Sequence, residues 1–225
     1  MPRIARIVVP GLPHHVVQRG YRRQQTFFCD EDKRTYLHLL QKQGEEEGVK
    51  FQAYCLMDNH VHLVAVPERS DSLAKGIGQS NWKYAMIINL RHGWKGYLWQ
   101  CRFASYPLDE AYFYTAVRYT ELNPVWAGIV SQADDYPWSS ARAHVLKIPD
   151  PILSDNLLAE VVPDWKAFLA AGLSPAEIKL IHKHEMSGRP LGSECFIDRL
   201  EKLTGRILRE KKRGRKANKT GKRAN

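Results

Sequence analysis

The sequence contains no apolar run long enough to cross a membrane and no closely spaced pair of cysteines. A transmembrane helix needs about 20 predominantly apolar residues, and residues 1–15 lack the apolar stretch and cleavage site of a secretory signal. The cysteines form no CxxC motif, which argues against a zinc knuckle and a disulfide framework; they are Cys29, Cys55, Cys101 and Cys195. We therefore expect a cytoplasmic protein with reduced thiols and no membrane contact.

Acidic residues are almost missing from the two ends of the chain. Residues 205–225 contain ten lysines and arginines and one acid, Glu210, so they carry +9 of the total net charge of +10. Residues 1–23 contain five arginines and no acid. Two basic ends on a nearly neutral body favour a polyanionic partner, because lysine and arginine neutralise phosphates and release their counterions. A merely solubilising tail would have the same charge.

The first half of the 225-residue chain reads as alternating strands and helices. The β-branched segment His14–Gln18 predicts a strand, and Asp30 begins a helical pattern that runs to Gly48. Two further strands, Lys50–Met57 and His60–Val66, are separated by Asp58-Asn59, a pair that tolerates the geometry of a tight turn. The sequence therefore predicts strand, helix and hairpin in that order.

A second helix is predicted over Ser72–Leu90 and a further strand over Leu98–Pro107. Asp109 is a suitable N-cap for a third helix, which we expect to end near Asn123 because Pro124 follows. This order indicates an α+β fold of the ferredoxin-like βαββαβ type with an added helix. We expect a main domain over residues 1–147, a small helical region over 148–204 and a basic, disordered tail over 205–225.

Two histidines and one helix carry the residues suited to chemistry. His60 and His62 alternate in a predicted strand, so both imidazoles leave the same face and could hold a metal. Tyr119 and Asn123 are four apart, so on a helix they share a face and could bring a phenol and an amide oxygen to that metal. Exposed histidines and packed tyrosines are the simpler alternatives. These ligand types leave zinc, manganese and other transition metals open.

Three tyrosines on the third helix compete for a nucleophilic role, since Tyr112 lies on nearly the same stripe as Tyr119 and Tyr114 on a different one. His14 and His15 point to opposite faces of the first strand. One of them could face the metal, although a structural role is the simpler interpretation.

Five segments, taken in order, resemble those of a known family. The string LMDNHVHL at 56–63 resembles the histidine strand of the single-tyrosine HUH transposases, where U is a bulky hydrophobic residue. VRYTELNPV at 117–125 is similar to a segment of their REP-associated tyrosine transposase branch, as are PGLPHHVVQRG at 10–20, WQCRF at 99–103 and YPWSS at 136–140. The resemblance spans roughly residues 3–142.

The resemblance implies a metal-dependent single-stranded DNA endonuclease and strand transferase that acts on repetitive extragenic palindrome (REP) hairpins, as a monomer or homodimer. It assigns Tyr119 as the nucleophile, over Tyr112 and Tyr114, and a 5′-phosphotyrosine as the intermediate. It implies magnesium or manganese, held by His60 and His62, with Asn123 as the further ligand.

We expect the DNA contacts to come from basic residues near both ends and beside the last strand. The candidates are Arg3, Arg6, Arg19, Arg22, Arg23, Arg102, Lys211, Lys212, Arg213, Arg215 and Lys216. The rings around Arg102 suit either base stacking or an ordinary core; they are Trp94, Tyr97, Trp99 and Phe103.

Three other functions were considered for a chain with these motifs. A domesticated protein could bind hairpins without cutting them, but the intact His60, His62 and Tyr119 argue against that hypothesis. A zinc deaminase would need H-x-E and P-C-x-x-C motifs, which the sequence lacks. A plasmid relaxase or replication initiator shares the HUH core but usually has a larger chain.

Overall fold

A computed structural model describes residues 4–154, 158 and 161–210. Its sheet has four antiparallel strands in the order β2-β3-β1-β4. The strands are β1 His14–Arg19, β2 Val49–Met57, β3 His60–Pro67 and β4 Ala104–Pro107. This order, with a helix after β1 and another after β3, is the ferredoxin-like arrangement, and the predicted α+β fold is confirmed.

Seven α-helices accompany the sheet within the part of the chain that the structure describes. They are α1 Asp30–Glu47, α2 Ser72–His92, α3 Glu110–Trp126, α4 Ala141–Leu146, α5 Trp165–Ala170, α6 Pro175–Ser187 and α7 Glu194–Thr204. None of these described helices combines the length and the apolarity needed to span a membrane. Helix α1 begins at the predicted Asp30 and ends before Gly48, whose φ of 64° suits a residue without a Cβ.

The last strand of the sheet is shorter than predicted. Strand β4 begins at Ala104, not at Leu98, and pairs with β1 only as far as Val17. Pairing resumes at Trp99, which bridges to Gly20: the Tyr21 amide donates to the Leu98 carbonyl at 2.8 Å, and the Gln100 amide donates to the Arg19 carbonyl at 2.9 Å. The Trp99 indole also donates to the Asn81 carbonyl at 2.9 Å and packs into the core beneath α2. The predicted strand is therefore interrupted over residues 101–103.

Helix α3 runs past its predicted end. We expected Pro124 to stop it near Asn123, yet the helix continues to Trp126. Proline removes one backbone donor, but its fixed φ is compatible with a helix. Leu122 and Pro124 are themselves buried, and the Ile129 amide donates to the Pro124 carbonyl at 2.9 Å. Burial around the proline offsets the lost hydrogen bond.

The two faces of the sheet are covered by different helices. Because alternate residues of a strand point to opposite faces, Val61 and Leu63 of β3 enter the core under α1 and α2. Val64 faces the other way and packs with Tyr106 and residues of α3. His60 and His62 share the parity of Val64, so they face α3.

A buried carboxylate ties α3 to the helices that follow it. Glu121 of α3 is fully buried and accepts three hydrogen bonds. The donors are Ser140 Oγ at 2.5 Å, the His144 ring at 2.6 Å and the Trp165 indole at 2.7 Å. These contacts fasten α4 and α5 to the helix that carries Tyr119.

Replacing Glu121 with alanine is expected to lower the free energy of unfolding by roughly 3–5 kcal/mol, because three buried donors lose their acceptor. Urea unfolding followed by circular dichroism measures the change. Glu121→Gln is the matched control and should cost less, since its amide oxygen can still accept. A loss below about 1 kcal/mol for Glu121→Ala, the size of an ordinary substitution, would contradict this role.

The first residues of the predicted basic tail pack against the body of the protein. Leu208 is buried in a cluster with Ile7 and Leu200. The Arg209 guanidinium forms ion pairs with Glu194 and Glu201, at 2.9 and 2.8 Å. Residues 205–210, which we expected to be disordered, are therefore held against the body of the protein by apolar burial and ion pairs. The rest of the predicted tail, 211–225, lies outside the described residues.

Candidate active site

Strand β3 presents two imidazoles to helix α3. The rings of His60 and His62 lie 5.0 Å apart between centroids, as expected of alternate residues on one face. His62 is fully buried, whereas His60 is partly exposed. Burial and the charge of neighbouring Arg19 lower the pKa of His60 to about 4. At neutral pH it is uncharged, as a metal ligand must be.

Helix α3 brings Tyr119 and Asn123 to these histidines. The Tyr119 ring lies edge-on to His62, with centroids 5.3 Å apart. The Asn123 side chain hydrogen-bonds to His60, and its amide also donates to the Tyr119 carbonyl at 2.7 Å. The structure thus brings together the four residues predicted from the sequence as nucleophile and metal ligands.

The other two tyrosines of α3 have different surroundings. Tyr112 and Tyr114 are half-buried and pack against the core that includes Val64 and Tyr106, on the opposite face of the sheet from α1 and α2. The Tyr114 ring contacts Phe168, with centroids 6.4 Å apart. The ring of Tyr119, by contrast, contacts the rings of both His62 and His15.

His15 of β1 lies in the site. From the sequence, a purely structural role was the simpler interpretation of this residue. Its Nε2 lies 3.1 Å from His62 Nδ1, and its Nδ1 lies 2.8 Å from the Tyr106 hydroxyl. Burial, and then the charge of Arg19, lower the pKa of His15 to about 3, so it is neutral. If His62 Nδ1 donates to His15, the lone pair of His62 stays on Nε2. His15 therefore orients His62 as a second-layer partner orients a metal ligand.

Two further site residues come from α6, which begins at the predicted cap, Ser174. His182 places Nε2 2.9 Å from the Tyr119 hydroxyl. Glu185 forms an ion pair with Arg19 at 3.2 Å. Neither residue was identified from the sequence. The one feature that could have indicated them is their spacing of three on a helix, which puts both side chains on the same face.

The site has the features that a metal requires. Nε2 of His62 is buried without a hydrogen-bond partner, an arrangement that is costly unless another group fills the position. Burial lowers the pKa of His62 well below its usual value, so its ring is neutral. The described residues offer two ligand sets that share His62. One adds His60 and Asn123, and the other adds His15 and Glu185, whose ligand atoms lie within 4.8 Å of each other and of His62.

A basic cavity of about 520 Å³ opens beside the site. Arg19, Arg23 and Arg102 line it, together with His182 and Glu185. Three of the predicted DNA-contacting arginines therefore surround a space next to Tyr119. Such a cluster suits a phosphate, because guanidinium groups bind phosphate oxygens in a bidentate manner.

Two other described candidates, Arg6 and Arg22, do not line this cavity. Arg6 stacks 3.6 Å above the Phe103 ring and donates to the Phe103 carbonyl at 3.0 Å, whereas Arg22 is exposed. Arg3 lies outside the described residues, as do the tail residues Lys211, Lys212, Arg213, Arg215 and Lys216.

The aromatic segment beside β4 divides between the two roles considered for it. Trp99 and Phe103 are buried in the core. Trp94 and Tyr97 are exposed, with Tyr97 84% accessible. Only these two of the four rings present a face to solvent on which a base could stack.

A ferredoxin-like sheet that carries two alternate histidines opposite a helical tyrosine defines the class of the protein as the HUH type. The family model "Transposase IS200 like" matches residues 8–123, just over half of the chain. The chain therefore belongs to the IS200-like transposase family, which confirms the resemblance read from its motifs.

Two solved structures match this chain, and the first of them shares its fold. A REP-associated tyrosine transposase bound to a REP hairpin is 19% identical with a TM-score of 0.56, over 69% of this chain and 92% of that one. A transposase structure from Deinococcus radiodurans R1 is 21% identical with a TM-score of 0.38, over 52% of this chain and 94% of that one. No curated protein matches the sequence.

Proposed function

We propose that this protein is a metal-dependent endonuclease and strand transferase of the transposase type, which acts on single-stranded DNA at or near repeat hairpins. The observation that carries the proposal is the Tyr119 ring against His62, with Asn123 hydrogen-bonded to His60. A nucleophile and three possible metal ligands thus occupy one pocket of an IS200-like transposase.

The residues of the site have separate roles in cleavage. The Tyr119 oxygen attacks the scissile phosphorus, a phosphotyrosine bond forms, and the bond from phosphorus to the 3′ oxygen breaks. His60, His62 and Asn123 would hold magnesium or manganese. We favour this set because His15 already contacts His62 through its Nε2, whereas His62 Nε2 is buried without a hydrogen-bond partner. The chemistry that such an ion supplies when bound is polarisation of the phosphate and neutralisation of its growing charge.

Rejoining follows from the same arrangement. The 5′-phosphotyrosine keeps the energy of the original phosphodiester, so a second 3′-hydroxyl can displace Tyr119 without a nucleotide cofactor. Arg19, Arg23 and Arg102 hold the flanking phosphates in the basic cavity. The lysines and arginines of 211–225 add affinity that does not depend on sequence, because phosphate contacts carry no base information.

The hairpin partner is proposed from the fold relative, whose structure holds a REP hairpin. The test uses hairpins flanked by random single strands and labelled at the 3′ end, incubated with the protein and manganese. We expect a labelled covalent protein–DNA adduct, and its release by a second oligonucleotide with a free 3′-hydroxyl. Fully paired duplex is the control and should give none.

Two outcomes would oppose the proposal. Hairpin binding with no adduct at any manganese concentration would instead support a domesticated protein that recognises hairpins without cutting. Cleavage without a protein-linked product would indicate hydrolysis by water, and would exclude the tyrosine intermediate.

A further inference from the structure

The hydroxyl of Tyr119 already has a partner in the C-terminal helical region. His182 of α6 lies with its Nε2 2.9 Å from that oxygen, and the two rings are nearly perpendicular, at 84°. A separation of 2.9 Å is within the normal range of a hydrogen bond. His182 and Tyr119 are 63 residues apart, so only the packing of α6 over the sheet produces the contact.

We propose that His182 is a catalytic residue that accepts the proton of Tyr119 as the phenol oxygen attacks the scissile phosphate. The inference rests on the proposed function and adds to it a general base from outside the matched family segment, residues 8–123. Positioned bases of this kind contribute about 10²–10⁴-fold to a rate.

Tyr119 needs such an acceptor. It is 4% exposed, and an ordinary phenol has a pKa of about 10. The phenol therefore keeps its proton before attack. Because a protonated phenol is a weak nucleophile, a base in contact with its oxygen removes the largest obstacle to attack.

His182 is suited to receive the proton. Burial and then the charge of Arg19 lower the pKa of His182, so the ring is neutral near neutral pH. Its Nε2 can therefore accept the hydrogen bond that the Tyr119 hydroxyl donates. His182 also lines the basic cavity and is exposed, so a proton gained at the ring can leave to solvent.

The neighbouring groups are engaged in other contacts. His15 and His62 contact each other through ring nitrogens at 3.1 Å, and each meets the Tyr119 ring edge-on. Glu185 forms its ion pair with Arg19. His182 is thus the base whose nitrogen is within hydrogen-bonding distance of the phenol oxygen.

The step balances in both directions. During cleavage the Tyr119 proton moves to His182 Nε2, the bond from the phenol oxygen to phosphorus forms, and the departing 3′ oxygen takes a proton from water. During rejoining an incoming 3′-hydroxyl gives up its proton to water, His182 regains a proton from solvent, and that proton passes to the Tyr119 oxygen as the phosphotyrosine bond breaks.

Two variants of His182 separate proton transfer from simple orientation. Glutamine can still accept a hydrogen bond from Tyr119 but cannot take its proton, and alanine leaves room for added imidazole. We expect His182→Gln and His182→Ala to form the covalent adduct about 100-fold more slowly or worse. Hairpin affinity should be unchanged, and imidazole should partly restore His182→Ala.

The measurement is the single-turnover rate of adduct formation beside the hairpin dissociation constant. His38→Gln, an exposed histidine on α1, is the matched control and should retain the wild-type rate. A His182→Gln protein with the wild-type rate would overturn the inference in favour of orientation alone. Variants faster than wild type would overturn it in favour of a helix that restrains the tyrosine. A wild-type protein that forms no adduct would overturn the proposed function and this inference together.

Discussion

A protein in which Tyr119 is replaced by phenylalanine is expected to form no covalent adduct, while it still folds and binds hairpins. Its adduct yield should fall by at least about 10³-fold, because the group that attacks phosphorus is gone and covalent catalysis has no substitute. The substitution removes one oxygen and keeps the ring contacts with His62 and Trp126. Denaturing gels measure the adduct, and fluorescence anisotropy measures hairpin binding.

Tyr112 and Tyr114 provide matched controls on the same helix. Both keep their half-buried packing when changed to phenylalanine, and each loses only a hydroxyl. Tyr112→Phe and Tyr114→Phe should therefore retain the adduct. If Tyr112→Phe loses the adduct and Tyr119→Phe keeps it, the nucleophile has been placed on the wrong residue of α3.

Removal of either histidine of β3 should abolish metal binding and cleavage together. In His60→Ala and His62→Ala proteins we expect manganese affinity and the adduct rate each to fall about 100-fold or more. Each substitution removes one of only three protein ligands, and the two that remain bind the ion too weakly. Calorimetry measures manganese binding without reference to activity. A chelator should stop cleavage by the wild-type protein to the same extent.

His14 provides the control for damage to the sheet. It is as buried as His62, but it contacts the Val9 amide and the Leu12 carbonyl, away from the site. His14→Ala should therefore lower stability and spare manganese affinity. Full cleavage by the wild-type protein in chelator would exclude the metal role, whatever the histidine variants do.

Much of the core of the fold was predictable from local patterns. The Asp58-Asn59 turn set the register of the hairpin, and alternation in β3 then put His60 and His62 on one face. A spacing of four on α3 placed Asn123 beside Tyr119. These predictions depend on neighbours in the chain, which is why period and turn chemistry were enough.

Local patterns failed where burial opposes them. Pro124 predicted an end to α3, but apolar packing carries the helix to Trp126. The segment from Leu98 had strand composition, but its pairing stops after the Trp99–Gly20 bridge and resumes only at Ala104, and Phe103 between them is buried in the core. In both places tertiary packing outweighs a preference of about one hydrogen bond.

The sequence by itself determined the family, the histidine pair and the tyrosine, because these lie in elements whose periods reveal which side chains share a face. Only the tertiary structure decided that His15 backs His62, that Glu121 anchors α3, and that His182 touches the Tyr119 hydroxyl. These contacts join residues 19 to 63 positions apart, and no local period predicts them. They depend on how the sheet orders its strands and on where α6 packs, which is set by burial summed over the whole core.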